Sequence, residues 1–403
     1  MNWWLKKFLY RLAHLIMGVV IKRIKVPEPE LLTGVGSIKK LPAQLKKSNV
    51  RRILIVTDKG ISGLGLTSGL IGALENMGIF VTVFDSVQAN PTIQNIEDGL
   101  EIYSRSRCEG IIAFGGGSPI DCAKLIGARV SNPERSSLQM RGGFKIPKKL
   151  PPLYAVPTTA GTGSECTLAA VVTDPENREK FSVASSRIVP LSATLDPELM
   201  TSLPPHITAH TGMDALTHAV EAYIGKIGTP YTDSQAEKAV KIIFEDLETV
   251  FKDGKDLQRR SNMALASYCA GLAFTRALVG YVHAIAHNLG GLYGTPHGKA
   301  NAIVLPYILE FSREACQLRL ARLAVVAGLG DGSEPKNELS FRFIEKIKVM
   351  NVDMCIPSKV DELKKEDIPL IAQRALREGN PGYPVPKLMN QRDCENILMR
   401  LLP

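Results

Sequence analysis

Apolar runs of the buried-strand type recur through the first half of this chain and then stop. Residues 53–58 (ILIVTD), 80–85 (FVTVFD) and 110–118 (GIIAFGGGS) are short, rich in β-branched and aromatic side chains, and bounded by turn residues. Runs that are continuously apolar belong to strands covered on both faces, which points to a parallel sheet. Helical segments lie between them, the clearest at 66–77 and 93–105. Strand and helix in alternation predict a doubly wound parallel α/β sheet. Beyond Asp196-Pro197 the pattern changes to Leu-, Ala- and Lys-containing helical segments broken by Gly and Pro, so an all-α C-terminal domain is expected from about Met200. The expected divisions are an N-terminal helix over 1–26, an α/β domain over 27–199 and a helical domain over 200–403, in a chain of 403 residues that can bury two cores. The proline-rich stretch 380–387 reads as a loop before a last helix over 391–402.

The third run ends in GGGSPID, residues 115–121, where a strand gives way to a helix opening near Pro119. Gly115, Gly116 and Gly117 let backbone N–H groups approach a pyrophosphate closely, and a helix N-terminus adds a favourable dipole field. With Ser118 they are the first candidate cofactor residues, although a glycine-rich turn also occurs as a plain turn. Asp58, ending the first run, is placed to accept hydrogen bonds from an adenosine ribose. A carboxylate there repels the 2′-phosphate of NADP and favours NAD; as a helix cap the same residue needs no ligand. Residues 34–37 (GVGS) offer a second, weaker glycine-rich surface. A further apolar strand leads into a loop with hydroxyls at Thr158, Thr159, Thr162 and Ser164.

The histidines are concentrated in the helical half. His283, His287 and His297, three of the seven in the chain, fall within residues 280–298. His283 and His287 sit four apart and share one helical face. Gly290, Gly291, Gly294 and Pro296 are expected to end that helix and let His297 return toward His283. Upstream, Asp214 and His218 are again four apart. One carboxylate and three imidazoles suit a borderline divalent ion such as Fe(II) or Zn(II). Two readings need no metal: satisfied core histidines, and a Thr211-x-x-Asp214 capping box.

GMDALTHAVEAYI (212–224) and GYVHAIAHNLGGLYGTPHGKANAIVLP (280–306) resemble the iron-dependent, or group III, alcohol dehydrogenases, and the resemblance runs over roughly 27–403. It implies a ligand set of Asp214, His218, His283 and His297, with His287 beside the substrate helping to move protons. It makes GGGSPID, including Asp121, the pyrophosphate site, and brings Thr158, Thr159 and Thr162 to the nicotinamide half of the cofactor. Lys180 matches a lysine near the cofactor ribose, or is a solvated surface lysine. Phe274 matches a residue lining the substrate pocket, or is core. Arg276 departs from the small or amide residue expected there; facing the cleft, it would select an anionic substrate.

The activity implied is hydride transfer between a primary alcohol and the nicotinamide of NAD, in the cleft between the two domains, with the aldehyde as the other redox partner. A divalent ion, Fe(II) or else Zn(II), would make the alcohol acidic near neutral pH. A homo-oligomer is expected. A glycerol-dehydrogenase-like zinc enzyme is the nearest alternative. A dehydroquinate-synthase-like lyase would need Lys and Arg gathered near Asp214 or His283, and no such cluster is present.

Residues 1–26 carry Trp4, Phe8, Leu12, Leu15 and Val19 along one face of a helix, with Lys7, Arg11, His14 and Gly18 on the other. The apolar run is too short to span a bilayer, but a basic amphipathic helix with tryptophans can lie in a membrane interface. Its alternative is packing against its own protein or a partner subunit. A non-catalytic membrane-peripheral protein on the same fold rests on this helix alone. The net charge of +9 is dispersed and lacks basic–aromatic nucleic-acid motifs, so no nucleic-acid partner is expected. Seven scattered cysteines without a CxxC pair suggest free thiols in a reducing, cytoplasmic compartment.

Overall fold

The computed structural model describes residues 2–177 and 179–403. The chain divides into two compact units: Lys25–Leu203 with Lys255–Tyr268, and Met1–Ile24 with Pro204–Gly254 and Cys269–Pro403. The main break is thus four residues from the expected one, but the N-terminal helix clusters with the helical unit, and a short segment of the C-terminal half clusters with the sheet unit.

Nine strands are present among the described residues: β1 (Glu30–Thr33), β2 (Arg52–Val56), β3 (Phe80–Phe84), β4 (Gly110–Gly115), β5 (Gly142–Gly143), β6 (Leu153–Pro157), β7 (Ala169–Asp174), β8 (Glu179–Ala184) and β9 (Ser192–Leu195). Six form a sheet in the order β1-β9-β6-β4-β2-β3, and every neighbouring pair is parallel. Leu54, Val56, Ile111 and Ala113 enter one core cluster while Ile53, Ile55, Ile112 and Phe114 enter another. Alternate side chains of one strand thus feed two cores, which is why these strands are apolar without alternation. The chain goes from β2 outward to β3 and then returns to β4 on the other side of β2. The winding direction therefore reverses between the carboxyl ends of β2 and β4, the place where open α/β sheets leave a crevice for ligands.

The small sheet β5-β8-β7 is absent from the sequence reading. β7 alternates half-buried with buried residues and β5 has only two residues, so neither carries a buried-run signature. The helix expected over 66–77 forms over Ser68–Glu75, and a short helix that was not expected, Lys59–Gly63, precedes it. Ile93–Arg105 forms as expected and opens on a Thr92/Asn95 capping box. The last helix, Gln391–Arg400, ends two residues before the expected Leu402.

In the helical unit the elements that matter for function are Pro205–Ile224, Tyr281–Tyr293, His297–Val326 and Ile368–Gly379, with the C-terminal part of Leu257–Ala277. The N-terminal helix is Trp3–Arg23, capped by the Asn2 side chain. No single described helix is long and apolar enough to cross a membrane. All seven cysteines are free thiols.

Candidate metal centre and dinucleotide site

The Pro205–Ile224 helix is buried without interruption from Gly212 to Ile224, so Asp214 and His218 are both enclosed. The helix opens at Pro205, well before Thr211, and the Thr211 hydroxyl donates to the Ile207 carbonyl. The capping-box reading of Asp214 is therefore not realised. Tyr281–Tyr293 carries His283 and His287. Contrary to expectation, Gly290 and Gly291 stay helical, and the helix ends on Gly294 at φ +71°, the left-handed C-cap that glycine tolerates. Pro296 then starts the next helix, with His297 its first residue.

His297 returns to the cluster because Gly298 has no side chain. A Cβ on Gly298 would lie 2.3 Å from the His210 carbonyl oxygen, so the two helices cross in backbone contact there. The His297 ring centroid lies 5.4 Å from that of His283 and 5.3 Å from that of His287, and His218 and His283 stack at 4.7 Å. Asp214, His218, His283 and His297 each offer one ligand atom, and all four atoms lie within 4.8 Å of one another.

The donor chemistry fits a cation. The Asn301 amide nitrogen sits 2.6 Å from Asp214 Oδ1, 3.3 Å from His283 Nε2 and 3.2 Å from His297 Nε2. Three lone-pair atoms thus converge on one buried donor, while Asn301 Oδ1 is buried with no partner. This is the arrangement a divalent metal asks of oxygen and nitrogen ligands.

A supporting carboxylate fixes His283. Glu221 Oε2 lies 2.6 Å from His283 Nδ1, and Glu221 Oε1 accepts from the Val282 N–H at 2.8 Å. With Nδ1 as the donor, Nε2 keeps its lone pair for the centre. Burial, only partly offset by backbone donors, pushes the Glu221 carboxyl up to about 7. Burial and the three neighbouring histidines hold His283 well below its ordinary value, which keeps the ring neutral and able to ligate. Glu221 follows Asp214 and His218 at i+7, a spacing visible in DALTHAVE, yet sequence reasoning passed over it.

His287 has its own carboxylate. Its Nδ1 lies 2.7 Å from Glu378 Oε1, to which the Tyr383 hydroxyl also donates at 2.6 Å. Burial alone would raise Glu378, but His287 and Tyr383 outweigh it and hold the carboxyl below its ordinary range. Nothing in the sequence joins Glu378 to His287. Phe274 stacks on His218 with centroids 4.2 Å apart. Arg276 lies over the Tyr231 ring at 5.2 Å and donates to the Leu272 carbonyl of its own helix.

In the sheet unit, β4 ends at Gly115 with φ +149°, and the Gly117–Ser131 helix begins at once. That helix starts two residues before Pro119, has no side-chain cap and has no acid in its first turn, so its leading N–H groups suit an anion. The cradle is tight: a Cβ on Gly117 would stand 2.7 Å from Thr162 Cγ2, and one on Gly116 3.4 Å from Thr159 Oγ1. The hydroxyl loop therefore lies directly against the glycines, and the Thr158 N–H donates to the Gly115 carbonyl. Ser118 donates to the Ala89 carbonyl at 2.6 Å, and Lys180 to Asn90 Oδ1 at 2.8 Å, so both tie to one loop after β3. Asn90 went unread in the sequence. Burial lowers Lys180, which is half-buried and not the solvated lysine of the alternative reading.

Two residues hold double positions. Asp58 sits past the end of β2 and caps Lys59–Gly63, accepting the Ile61 N–H at 3.0 Å. Asp121 lies on the same helix as the glycines, but its oxygens accept from the Ser164 hydroxyl at 2.5 Å and the Val171 N–H at 2.8 Å. Its observed contacts are with the protein: it ties the hydroxyl loop to the helix. Lys124 completes that tie by donating to Ser164 and to the Thr167 and Ala169 carbonyls; burial lowers it to about 8.

Comparison with known proteins agrees with both halves of this geometry. Residues 28–197 match the model of iron-containing alcohol dehydrogenase, and residues 208–402 that of the C-terminal part of the Fe-containing alcohol dehydrogenase family. The chain is 40% identical over 351 residues to 1,3-propanediol dehydrogenase of Klebsiella pneumoniae, covering 86% of this chain and 90% of that one. A crystal structure of 1,3-propanediol oxidoreductase superposes with a TM-score of 0.90 at 37% identity, over 94% of this chain and 99% of that one. Sulfoacetaldehyde reductase from Bifidobacterium kashiwanohense, solved with NAD+, superposes at 0.85 with 29% identity, over 94% and 98% of the two chains. These names lend no support to the lyase or scaffold readings. The chain belongs to the iron-containing alcohol dehydrogenase family and is an NAD-dependent alcohol dehydrogenase.

Proposed function

We propose that Asp214, His218, His283 and His297 hold the catalytic iron, with zinc the alternative, and that NAD lies at the switch point between β2 and β4. The observation that carries the metal assignment is the convergence of Asp214, His283 and His297 on one buried point at Asn301. When bound, the metal supplies Lewis acidity toward an alcohol or aldehyde oxygen, and the nicotinamide exchanges hydride with the carbon. The chain's own residues do the rest. Gly115, Gly116, Gly117 and Ser118 receive the pyrophosphate, Thr158, Thr159 and Thr162 meet the nicotinamide half, and Asp58 and Lys180 address the ribose groups. Asp121 acts with them through the hydroxyl loop it holds.

His287 is the proton carrier. With Nδ1 held by Glu378, the ring has Nε2 to take the alcohol proton, and the Glu378 carboxylate steadies the charge that the ring then carries. Phe274, stacked on His218, lines the substrate pocket. The substrate is a small primary alcohol or its aldehyde, as the names of the relatives suggest. The same reading makes the enzyme a cytoplasmic homo-oligomer with residues 1–26 serving attachment at a membrane surface.

The test is anaerobic purification with metal analysis, paired with NADH formation on a panel of short primary alcohols and diols. The expected result is one iron per chain, with metal and turnover lost together in His283→Ala. Metal-free wild-type protein without NAD-linked turnover would overturn the assignment.

A further inference from the structure

The Trp3–Arg23 helix docks on the protein by its polar edge. Its seam against the protein is the polar and small one: the Arg11 guanidinium donates to the carbonyls of Val385 at 2.6 Å and Pro386 at 2.7 Å, and His14 is 2% exposed. A Cβ on Gly18 would meet Ile227 at 3.1 Å, so the seam is close-packed there too. The apolar stripe points outward: Trp4 is 72% exposed, Leu15 70%, Ile16 58% and Phe8 57%, with Leu12 and Val19 exposed beside them. Scattered exposed apolar residues are ordinary on a protein surface, but one continuous helical face of them marks a binding surface.

We propose that this outward face docks on the surface of an anionic lipid bilayer. The proposal rests on the peripheral-attachment reading given above, and not on the assigned chemistry. Charge complementarity selects the occupant. Lys6, Lys7, Arg11, Lys22, Arg23 and Lys25 lie in this stretch and no acidic residue precedes Glu28. Lys7, Lys22 and Arg23 are exposed toward the two ends of the helix, as a cationic frame for an apolar stripe requires. A second copy on the same face would set like cations near one another, since a two-fold contact is self-complementary in its residues. Beneath the first turns lies a groove of about 660 Å³, with Trp3, Phe8 and Leu388 for acyl chains and Lys7 and Lys387 for a phosphate. Asp393, the acid lining it, is engaged in the cap of the final helix, where it accepts the Asn390 N–H at 3.0 Å.

The chain supplies its own reporter, because Trp3 and Trp4 are its two tryptophans. The full-length protein is mixed with phosphatidylcholine vesicles, with and without phosphatidylglycerol, and followed by tryptophan emission and flotation. NAD-linked turnover is measured on the same sample. The expected result is a blue shift and flotation with the anionic vesicles, and partition weakened about a hundredfold without phosphatidylglycerol. Phe8→Glu with Leu15→Glu should abolish flotation and leave turnover unchanged; both side chains are exposed, and neither belongs to the metal or dinucleotide residues. Wild-type protein that stays unbound to anionic vesicles overturns the proposal. So does a double variant that floats as well as wild type, or one that binds less only because light scattering shows an oligomer has dissociated. Inactive protein that floats would sink the enzymatic assignments and leave this one standing.

Discussion

A ligand histidine must be neutral, in one tautomer and unable to swing, and His283 meets each demand through a different neighbour. Burial and nearby rings keep it neutral, Glu221 fixes the tautomer, and the Val282 N–H fixes Glu221 in turn. Glu221→Gln keeps the shape but replaces one acceptor oxygen by a donor, so a competing tautomer becomes available to the ring. Supporting carboxylates of this kind typically contribute about 10–100-fold in metal affinity or activity. We expect Glu221→Gln to lose iron within that range on chelator titration while its circular dichroism matches wild type. Iron affinity equal to wild type would show that the carboxylate only fills space.

At the scale of elements, the site depends on a helix crossing more than on any loop. Pro205–Ile224 and His297–Val326 approach until the backbone of one meets the α-carbon of the other at Gly298. Gly298→Ala places a methyl group against a carbonyl oxygen that belongs to a helix and cannot rotate away. Overpacking of this sort costs about 1–3 kcal/mol, and the displacement moves His297, one residue away, from the other ligands. The variant should melt lower than wild type and retain little iron; full iron occupancy would show that the crossing opens without moving His297. The same crossing shows what a sequence can and cannot disclose. The Asp214/His218 and His283/His287 pairs were readable because side chains on one helical face keep a fixed spacing, and β2 and β4 because two-sided burial leaves an unbroken apolar run. Glu221 and Asn301 had that spacing too, but a Glu or Asn on a helix looks like any solvated residue. Glu378 was unreadable in principle: it lies 91 residues from His287, and only the packing of Ile368–Gly379 joins them. β7 and β8 were missed because their half-buried alternation resembles surface structure.

For the molecule as a whole, the metal assigned to the centre would join three stretches of one unit, through Asp214 and His218, His283, and His297. Binding that favours the folded form adds stability in proportion to the logarithm of ligand excess, about 4 kcal/mol at a thousandfold excess. Removing iron with a chelator should therefore lower the melting temperature by roughly 10 °C. His283→Ala, measured by the same calorimetry, should show little response to the chelator. An unchanged melt after complete metal removal would mean that the four ligands are prearranged without help from the ion.

The clamp at Arg11 has a consequence in time. Its carbonyl partners lie 374 and 375 residues downstream. At ordinary rates of translation that interval is about 20–75 s. For most of it the first helix has left the ribosome while its seat, the loop before the last helix, does not yet exist. Docking consequently waits on that loop, and until then the greasy stripe is available to whatever it meets first.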